Sequence, residues 1–536
     1  MAKPNPLTRN KKKKAEELYK QRALIDAKLL YQQVCQADKR DLDSWVALGS
    51  IHGELGELQE SVLCFDHVTQ LNPNSPEAHF NLAKALRLLG QLPTAEQHYR
   101  QALKLHPGWI QALNNLGNLL HAMGRSEEAT NCYQQALSIQ PNYLEAKFNY
   151  ANLMQDLGRY PEAIAVYREL LTQKPDHLHL LVNLARALAI TKKFDDSFAC
   201  YDRVLALISN SPEFIGRKEV CNNPYYVEAS YTKSLFKLLL GEYEEGWRLY
   251  EWRWKTEQLK NNLRQFKQPL WLGDQPIAGK TILLHAEQGL GDTIQFVRYV
   301  SVVERLGANV VLEVPATLIS LVQTFRGSFN LIAKGDDIPP FDLHCPLMSL
   351  PHALRTTLDT IPADIPYLAV DAQRQAQWRE RLGTKIKPRI GLVWSGNVKH
   401  LNDRNRSIAL RTMEPLLRLD FEYHSLQKEI REEDKPFLNE FTQIQSHENE
   451  LNDFSDTAAL IAAMDLVITV DTSVAHLAGA LGKPVWILLP YSPDFRWLLE
   501  RGDSPWYPTA RLFRQRSIGD WDGVVAEVLA ELKRLT

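Results

Sequence analysis

Apolar positions over the first two-fifths of the chain recur with helical spacing, and the helices they predict come back every 34 residues. Pro73, Pro107, Pro141 and Pro175 keep that interval, as do Gly56, Gly90, Gly124 and Gly158. Phe65, Tyr99, Tyr133, Tyr167 and Tyr201 extend it. Each residue type suits a helix–turn–helix unit. Glycine falls in the turn between the helices, where a positive φ costs it little. Proline follows the second helix, which it cannot prolong. Small residues at Gly49, Ala83, Gly117, Ala151 and Ala185 let neighbouring helices approach, and the aromatic is expected to fill the gap against the next repeat. Five full repeats span about residues 42–209, preceded by a degenerate one with Ala27, Tyr31 and Val34 in phase, so the array is placed at 8–209. The period breaks at SPEFIGRKEVCNNP and resumes from Val227 to Lys255, with Gly241 and Tyr250 in register. Residues 210–258 therefore read as an irregular linker and a capping repeat, whose aromatic ending GEYEEGWRLYEWRWK docks on the next domain.

The period and its residues resemble the tetratricopeptide repeat, an α superhelical array with a concave groove lined by first helices. There the sequence places Asn81, Asn115, Asn149 and Asn183, again 34 apart, with Asn118 and Asn152 one helical turn further on. A row of primary amides can donate to and accept from an extended peptide backbone without reading its side chains. It resembles the asparagine ladder of the O-linked N-acetylglucosamine transferases, which implies an acceptor polypeptide held at these four residues. Asparagine is also common at those repeat positions for structural reasons.

From residue 259 the helical period gives way to alternating strands and helices, in a first half at 259–372 and a second at 385–536. KTILLHAEQ, NVVLEVP, FNLIAK and FDLHCP are the predicted strands of the first half. PRIGLVWSG, EYHSLQ, DLVITV and KPVWILLP are those of the second. Two doubly wound α/β halves bind ligands at the carboxyl ends of their strands. Three clusters lie at such ends. In HAEQGLGD, Gln288, Gly289 and Gly291 form a loop that lets backbone approach the cleft, and Asp292 stands at a helix start, where it can also be a plain cap. In DTSVAH, Asp471, Thr472 and Ser473 open a helix whose free N–H groups suit a diphosphate, with His476 one turn in. Between them lie Ser395, Asn397, Arg406, Gln427 and Lys428, which can converge on one cleft and neutralise a departing diphosphate.

GLGDTIQFVRY and ITVDTSVAHLAGALGKPVW resemble the ADP-heptose:lipopolysaccharide heptosyltransferase family over about residues 280–515. The resemblance implies a GT-B fold with the acceptor in the first half and the nucleotide sugar in the second. It makes Asp292 the general base and gives the diphosphate to Asp471, Thr472, Ser473 and His476. Two departures stand out: the family's K-R-W-P segment survives only as Arg406-Ser-Ile-Ala, and Ser473 replaces a glycine. The fusion of repeats with such a domain is similar to bacterial protein glycosyltransferases, including those that modify flagellin. It implies inverting, metal-independent transfer to Ser or Thr hydroxyls of a protein.

Charge narrows the alternatives. With 62 Lys and Arg against 64 Asp and Glu the chain carries a net charge of -2, which excludes a chain-wide electrostatic attraction to nucleic acid. The basic run Arg9–Lys14 is expected to be a solvated end, with a tether to nucleic acid or membrane as the alternative, and the residues after it have helical periodicity and no leader's apolar core. The most apolar stretch, Thr457–Val470, is short and contains Asp465, so no membrane span and a cytoplasmic location are expected. The six cysteines have no metal-ligand spacing, and no D-x-D pair follows a strand, so neither cofactor nor metal is expected beyond the nucleotide sugar as co-substrate. Two other readings stay open: a non-catalytic scaffold with a nucleotide-binding domain, and an enzyme with a lipopolysaccharide or other glycan acceptor.

Overall fold

The computed structural model describes residues 6–211, 220, 222–400 and 402–535. The chain divides into two compact units, Met1–Ala187 and Leu188–Thr536. In the first, helices pair in sequence: α1 (Pro6–Lys20) with α2 (Leu24–Ala37), α3 (Leu42–Glu54) with α4 (Leu58–Leu71), and α5 (Pro76–Leu88) with α6 (Leu92–Leu105). Next come α7 (Ile110–Ala122) with α8 (Ser126–Ile139), α9 (Leu144–Asp156) with α10 (Tyr160–Gln173), and α11 (Leu178–Ile190). Gly56, Gly90, Gly124 and Gly158 end the first helices at φ between 76° and 82°. The same left-handed turn continues 34 residues beyond each end of that glycine series, at Arg22 (φ 63°) and Lys192 (φ 60°). The degenerate first repeat is thus a geometrically complete one, with Ala27, Tyr31 and Val34 all buried.

The aromatic positions pack inside their own repeat, and at Tyr167 the hydroxyl also meets Asn183 of the next one. A Cβ on Gly49 would lie 3.1 Å from the Phe65 ring, and one on Gly117 only 2.7 Å from Tyr133 Cε1. Two of the tyrosine hydroxyls at this position reach back to the first helix: Tyr133 donates to Asn118 Oδ1 at 2.7 Å and Tyr167 to Asn152 Oδ1 at 2.6 Å. The small residue and the aromatic are one packing pair, 16 positions apart.

The second unit begins with the end of α11, α12 (Phe194–Ser209), α13 (Pro224–Leu239) and α14 (Tyr243–Tyr250). Most of the expected linker lies outside the described residues. The aromatic ending of the cap docks as expected: Trp247 meets Phe296 and Phe495 edge-on at 6.1 and 5.6 Å, and Tyr243, Trp247 and Tyr250 belong to the core of the α/β region. That region holds two all-parallel sheets. The first has β1 (Thr281–His285), β2 (Asn309–Val314), β3 (Asn330–Ala333) and β4 (Leu343–Pro346) in the order β3-β2-β1-β4.

The second sheet has β5 (Arg389–Val393), β6 (Glu422–Ser425), β7 (Ile444–Ser446), β8 (Leu466–Val470), β9 (Val485–Leu489) and β10 (Ala510–Arg514). Their order is β10-β9-β8-β5-β6-β7. The eight strands read from the sequence are present, and β7 and β10 are additional. β7 is three residues with two exposed, and β10 interleaves arginines with its apolar residues, so neither produces a buried apolar run. In each sheet the order reverses beside a strand followed by one of the motifs, β1 in the first and β8 beside β5 in the second. That is where parallel sheets open a ligand crevice.

Candidate active site

Two helix starts meet at the carboxyl ends of β1 and β8. One opens α15 (Leu290–Phe296), the other the helix Ser473–Ala480. Their approach runs through Gly291: a Cβ there would sit 2.9 Å from His476 Cδ2 and 3.3 Å from Ser473 Cα. The sequence reading gave this glycine the task of opening backbone to a ligand. In the structure it lets one helix start lie against the other. Gly289 caps α15, and its N–H donates to Asp292 Oδ2 at 2.8 Å. Gln288 faces the capping repeat, its amide donating to the Tyr250 hydroxyl at 3.0 Å.

The other carboxylate oxygen of Asp292 is taken by Arg496, which arrives 204 residues later in the loop after β9. Arg496 is 6% exposed. Its guanidinium also donates to Asp494 Oδ1 at 2.8 Å and to Gln295 Oε1 at 2.7 Å, and lies over the Phe495 ring at 4.4 Å. Burial works against its charge, but Asp494 and Asp292 outweigh it and hold the arginine more firmly protonated than usual. Arg496 ties the first half, through Asp292 and Gln295, to the second, through Asp494. The sequence reading missed it, although PDFRW follows the predicted strand KPVWILLP, and a carboxyl strand end is where such residues belong.

At the second helix start, Thr472 is the cap residue and places no side chain over the free N–H groups, its hydroxyl instead lying 3.2 Å from Thr469 Oγ1. Ser473 is the first helical residue. Arg406 donates to the Asp471 carbonyl at 2.9 Å, and a Cβ on Gly396 would fall 2.6 Å from its Nη2, so Gly396 makes room for this arginine. The Asp471 carboxyl is pushed up to about 6 by burial and by the Asp494 carboxylate, against the pull of the Trp497 indole, Arg406 and Arg496. His476 is buried, stacked on Trp497 at 5.4 Å and 3.0 Å from the Tyr507 hydroxyl. Burial, with Arg496, Arg298 and Arg406 behind it, keeps its imidazole well below the ordinary range and therefore neutral. It packs the helix start, while Thr472, Ser473, Arg406 and Arg496 present the positive character that an anion needs.

The remaining candidates divide. Gln427 accepts from the backbone N–H groups of Trp394 and Ser395, each at 3.1 Å, and donates to Ser395 Oγ and the Glu429 carbonyl, each at 3.0 Å. All four of its hydrogen-bonding positions are used, so with Ser395 it braces the loop after β5 against the end of β6. Asn397 is exposed and accepts from Lys399 N at 2.9 Å in a turn. Lys428 is exposed and reaches the Glu448 carbonyl at 3.3 Å. Among these five residues, Arg406 is the one the structure joins directly to the DTS motif. In the array, Asn81, Asn115, Asn149 and Asn183 lie on α5, α7, α9 and α11. Asn149 donates to Asn114 Oδ1 and Asn183 to Asn152 Oδ1, both at 2.9 Å, while Asn115 donates to its own helix at Gln111 O.

Residues 42–75, 76–176 and 151–212 match tetratricopeptide-repeat families, and residues 451–506 match Glycosyltransferase family 9 (heptosyltransferase), a span that contains DTSVAH, Asp494 and Arg496. The chain is a tetratricopeptide-repeat protein with a glycosyltransferase family 9 domain. It is similar to Protein FlbA of Caulobacter vibrioides, 28% identical over 331 residues that cover 56% of this chain and 54% of FlbA. The chain thus spans about half the length of that curated relative. Among solved structures it is similar to MamA, at 20% identity over 30% of this chain and 94% of MamA, with a TM-score of 0.29. It is also similar to a thermophilic tetratricopeptide-repeat protein of Thermus thermophilus, at 22% identity over 34% and 99%, with a TM-score of 0.29. No helix among the described residues is long and apolar enough to cross a membrane, and none of their His, Cys, Asp and Glu side chains cluster to hold a metal ion.

Proposed function

We propose that this protein is a glycosyltransferase that moves a sugar from a nucleotide-sugar donor to Ser or Thr hydroxyls of a polypeptide bound by its repeats, with inversion and without a metal. The observation that carries it is the meeting of Asp292 with the helix start at Ser473: next to Asp292, Gly291 packs so close that a Cβ on it would fall 3.3 Å from Ser473 Cα. A diphosphate on the free N–H groups of Thr472 and Ser473 would place its sugar beside a carboxylate. The helix start with Arg406 and Arg496 supplies the positive charge that a divalent ion would otherwise bring to the leaving group. Asp292 takes the acceptor hydroxyl's proton as its oxygen bonds to the anomeric carbon, and the bond to the diphosphate breaks with its electron pair. His476, neutral and buried, positions the helix and is not the base.

The array supports a polypeptide acceptor through its amides. Asn81 and Asn115 are partly exposed on first helices, and Asn149 and Asn183 are held in fixed orientations by neighbouring asparagines. The test is a panel of UDP-, GDP-, ADP- and CMP-sugars read by thermal shift and hydrolysis, followed by intact masses of co-expressed proteins. A nucleotide sugar that binds and raises a protein's mass by one sugar is the expected result. Binding without turnover by any donor favours the scaffold, and transfer to glycan alone removes the polypeptide acceptor.

A further inference from the structure

The base assigned above is not free. Its carboxylate has one oxygen on the Gly289 N–H and the other on a buried arginine shared with Asp494. Both oxygens are thus engaged, and neither can take a proton from an acceptor hydroxyl until one of these donors leaves it. The same arginine stands next to the seat argued for the diphosphate, since Asp292 follows Gly291 and Gly291 touches Ser473.

We propose that Arg496 is a donor-operated latch on Asp292, binding the carboxylate in the donor-free cleft and turning its Nη2 to the donor's diphosphate when a nucleotide sugar seats at Ser473. The proposal rests on the glycosyltransferase reading. Asp494 holds Nη1 and Gln295 holds Nε in either state, so the side chain swings one nitrogen and keeps its place. With the donor present the guanidinium keeps Asp494 and gains the diphosphate. Asp292 Oδ1 is then open to an acceptor hydroxyl at the moment that hydroxyl needs a base. The order of events follows: donor first, acceptor second, with no unoccupied base oxygen before the donor arrives. Arg496 acts on the leaving group directly and on the acceptor through Asp292.

The test uses the full chain and a nucleoside diphosphate, the best binder of UDP, GDP, ADP and CDP, measured by calorimetry. Asp292→Asn removes the competitor for the guanidinium, so it should bind the diphosphate about 3- to 10-fold more tightly than wild type even though transfer is lost. In an Arg496→Gln background the same Asp292→Asn change should give no tightening. Arg496→Lys, a point charge that cannot span two partners, should recover part of the affinity but not the donor-first order in product-inhibition kinetics. Tightening that persists in the Arg496→Gln background would mean simple repulsion between Asp292 and the phosphates, and would overturn the latch. Weaker or unchanged binding by Asp292→Asn would overturn it as well. If wild type binds none of the diphosphates and none of the nucleotide sugars, it is the glycosyltransferase reading that fails.

Discussion

The repeat array and the α/β region use side chains over very different lengths of chain. In the array, the decisive contacts lie within one hairpin: Gly117 against Tyr133, or the Tyr167 hydroxyl on Asn152. In the α/β region, Asp292 is held by a residue 204 positions away and Gly291 is fitted to a helix that starts at Ser473. The difference teaches where substitutions should register. A change inside an array hairpin should cost stability without touching nucleotide binding, whereas the same chemical change at the meeting of the two helix starts should cost both together.

The largest expected effect sharpens that contrast. Asp292→Asn should slow single-turnover transfer by about 10²- to 10⁴-fold, measured by quenched reaction with the donor the panel identifies, while Gly124→Ala in the array leaves the rate where it was. An unchanged rate in Asp292→Asn would remove the base assignment.

Two glycine substitutions come next. Gly291→Ala and Gly117→Ala each place a Cβ under 3.0 Å from a side-chain atom, and each should destabilise by about 1–3 kcal/mol in urea unfolding. Only Gly291→Ala should also weaken nucleotide binding, because it pushes the two helix starts apart. Equal loss of binding in both variants would break the comparison.

A smaller effect is the pH dependence of stability. The Asp471 carboxyl is raised to about 6 from 3.8, so the native state keeps a proton that the unfolded chain has released. Its contribution is present in full below pH 3.8 and disappears as pH rises through about 6. Asp471→Asn should flatten that descent, by on the order of 1–2 kcal/mol in the difference between wild-type and variant unfolding curves. The buried array tyrosines add nothing in this window; burial pushes the Tyr99 hydroxyl up to about 12. A difference that stays constant from pH 4 to 7 would contradict the raised carboxyl.

The smallest effect isolates backbone conformation. A Cβ on Gly124 meets nothing within 4 Å, yet its φ is 76°, so Gly124→Ala should cost about 1 kcal/mol through strain alone. Arg22 and Lys192 bear that strain already at the equivalent turns.

The sequence by itself determined the array, because its rule is local and repeated: a turn glycine, a small residue and an aromatic 16 positions later fix one hairpin, and a 34-residue period copies it. It also placed the strands that carry buried apolar runs, and it located the GLGD and DTS motifs at strand ends. It could not place β7 or β10, whose polar residues hide them. For Asp292 the sequence supplied the residue and its position at a helix start. Only the tertiary structure decided that its second oxygen belongs to Arg496, that Gly291 serves a helix-to-helix contact, and that Gln427 is spent on backbone. Those outcomes follow from long-range packing, where a charge removed from water takes whichever opposite charge the fold brings to it. No local pattern records that choice.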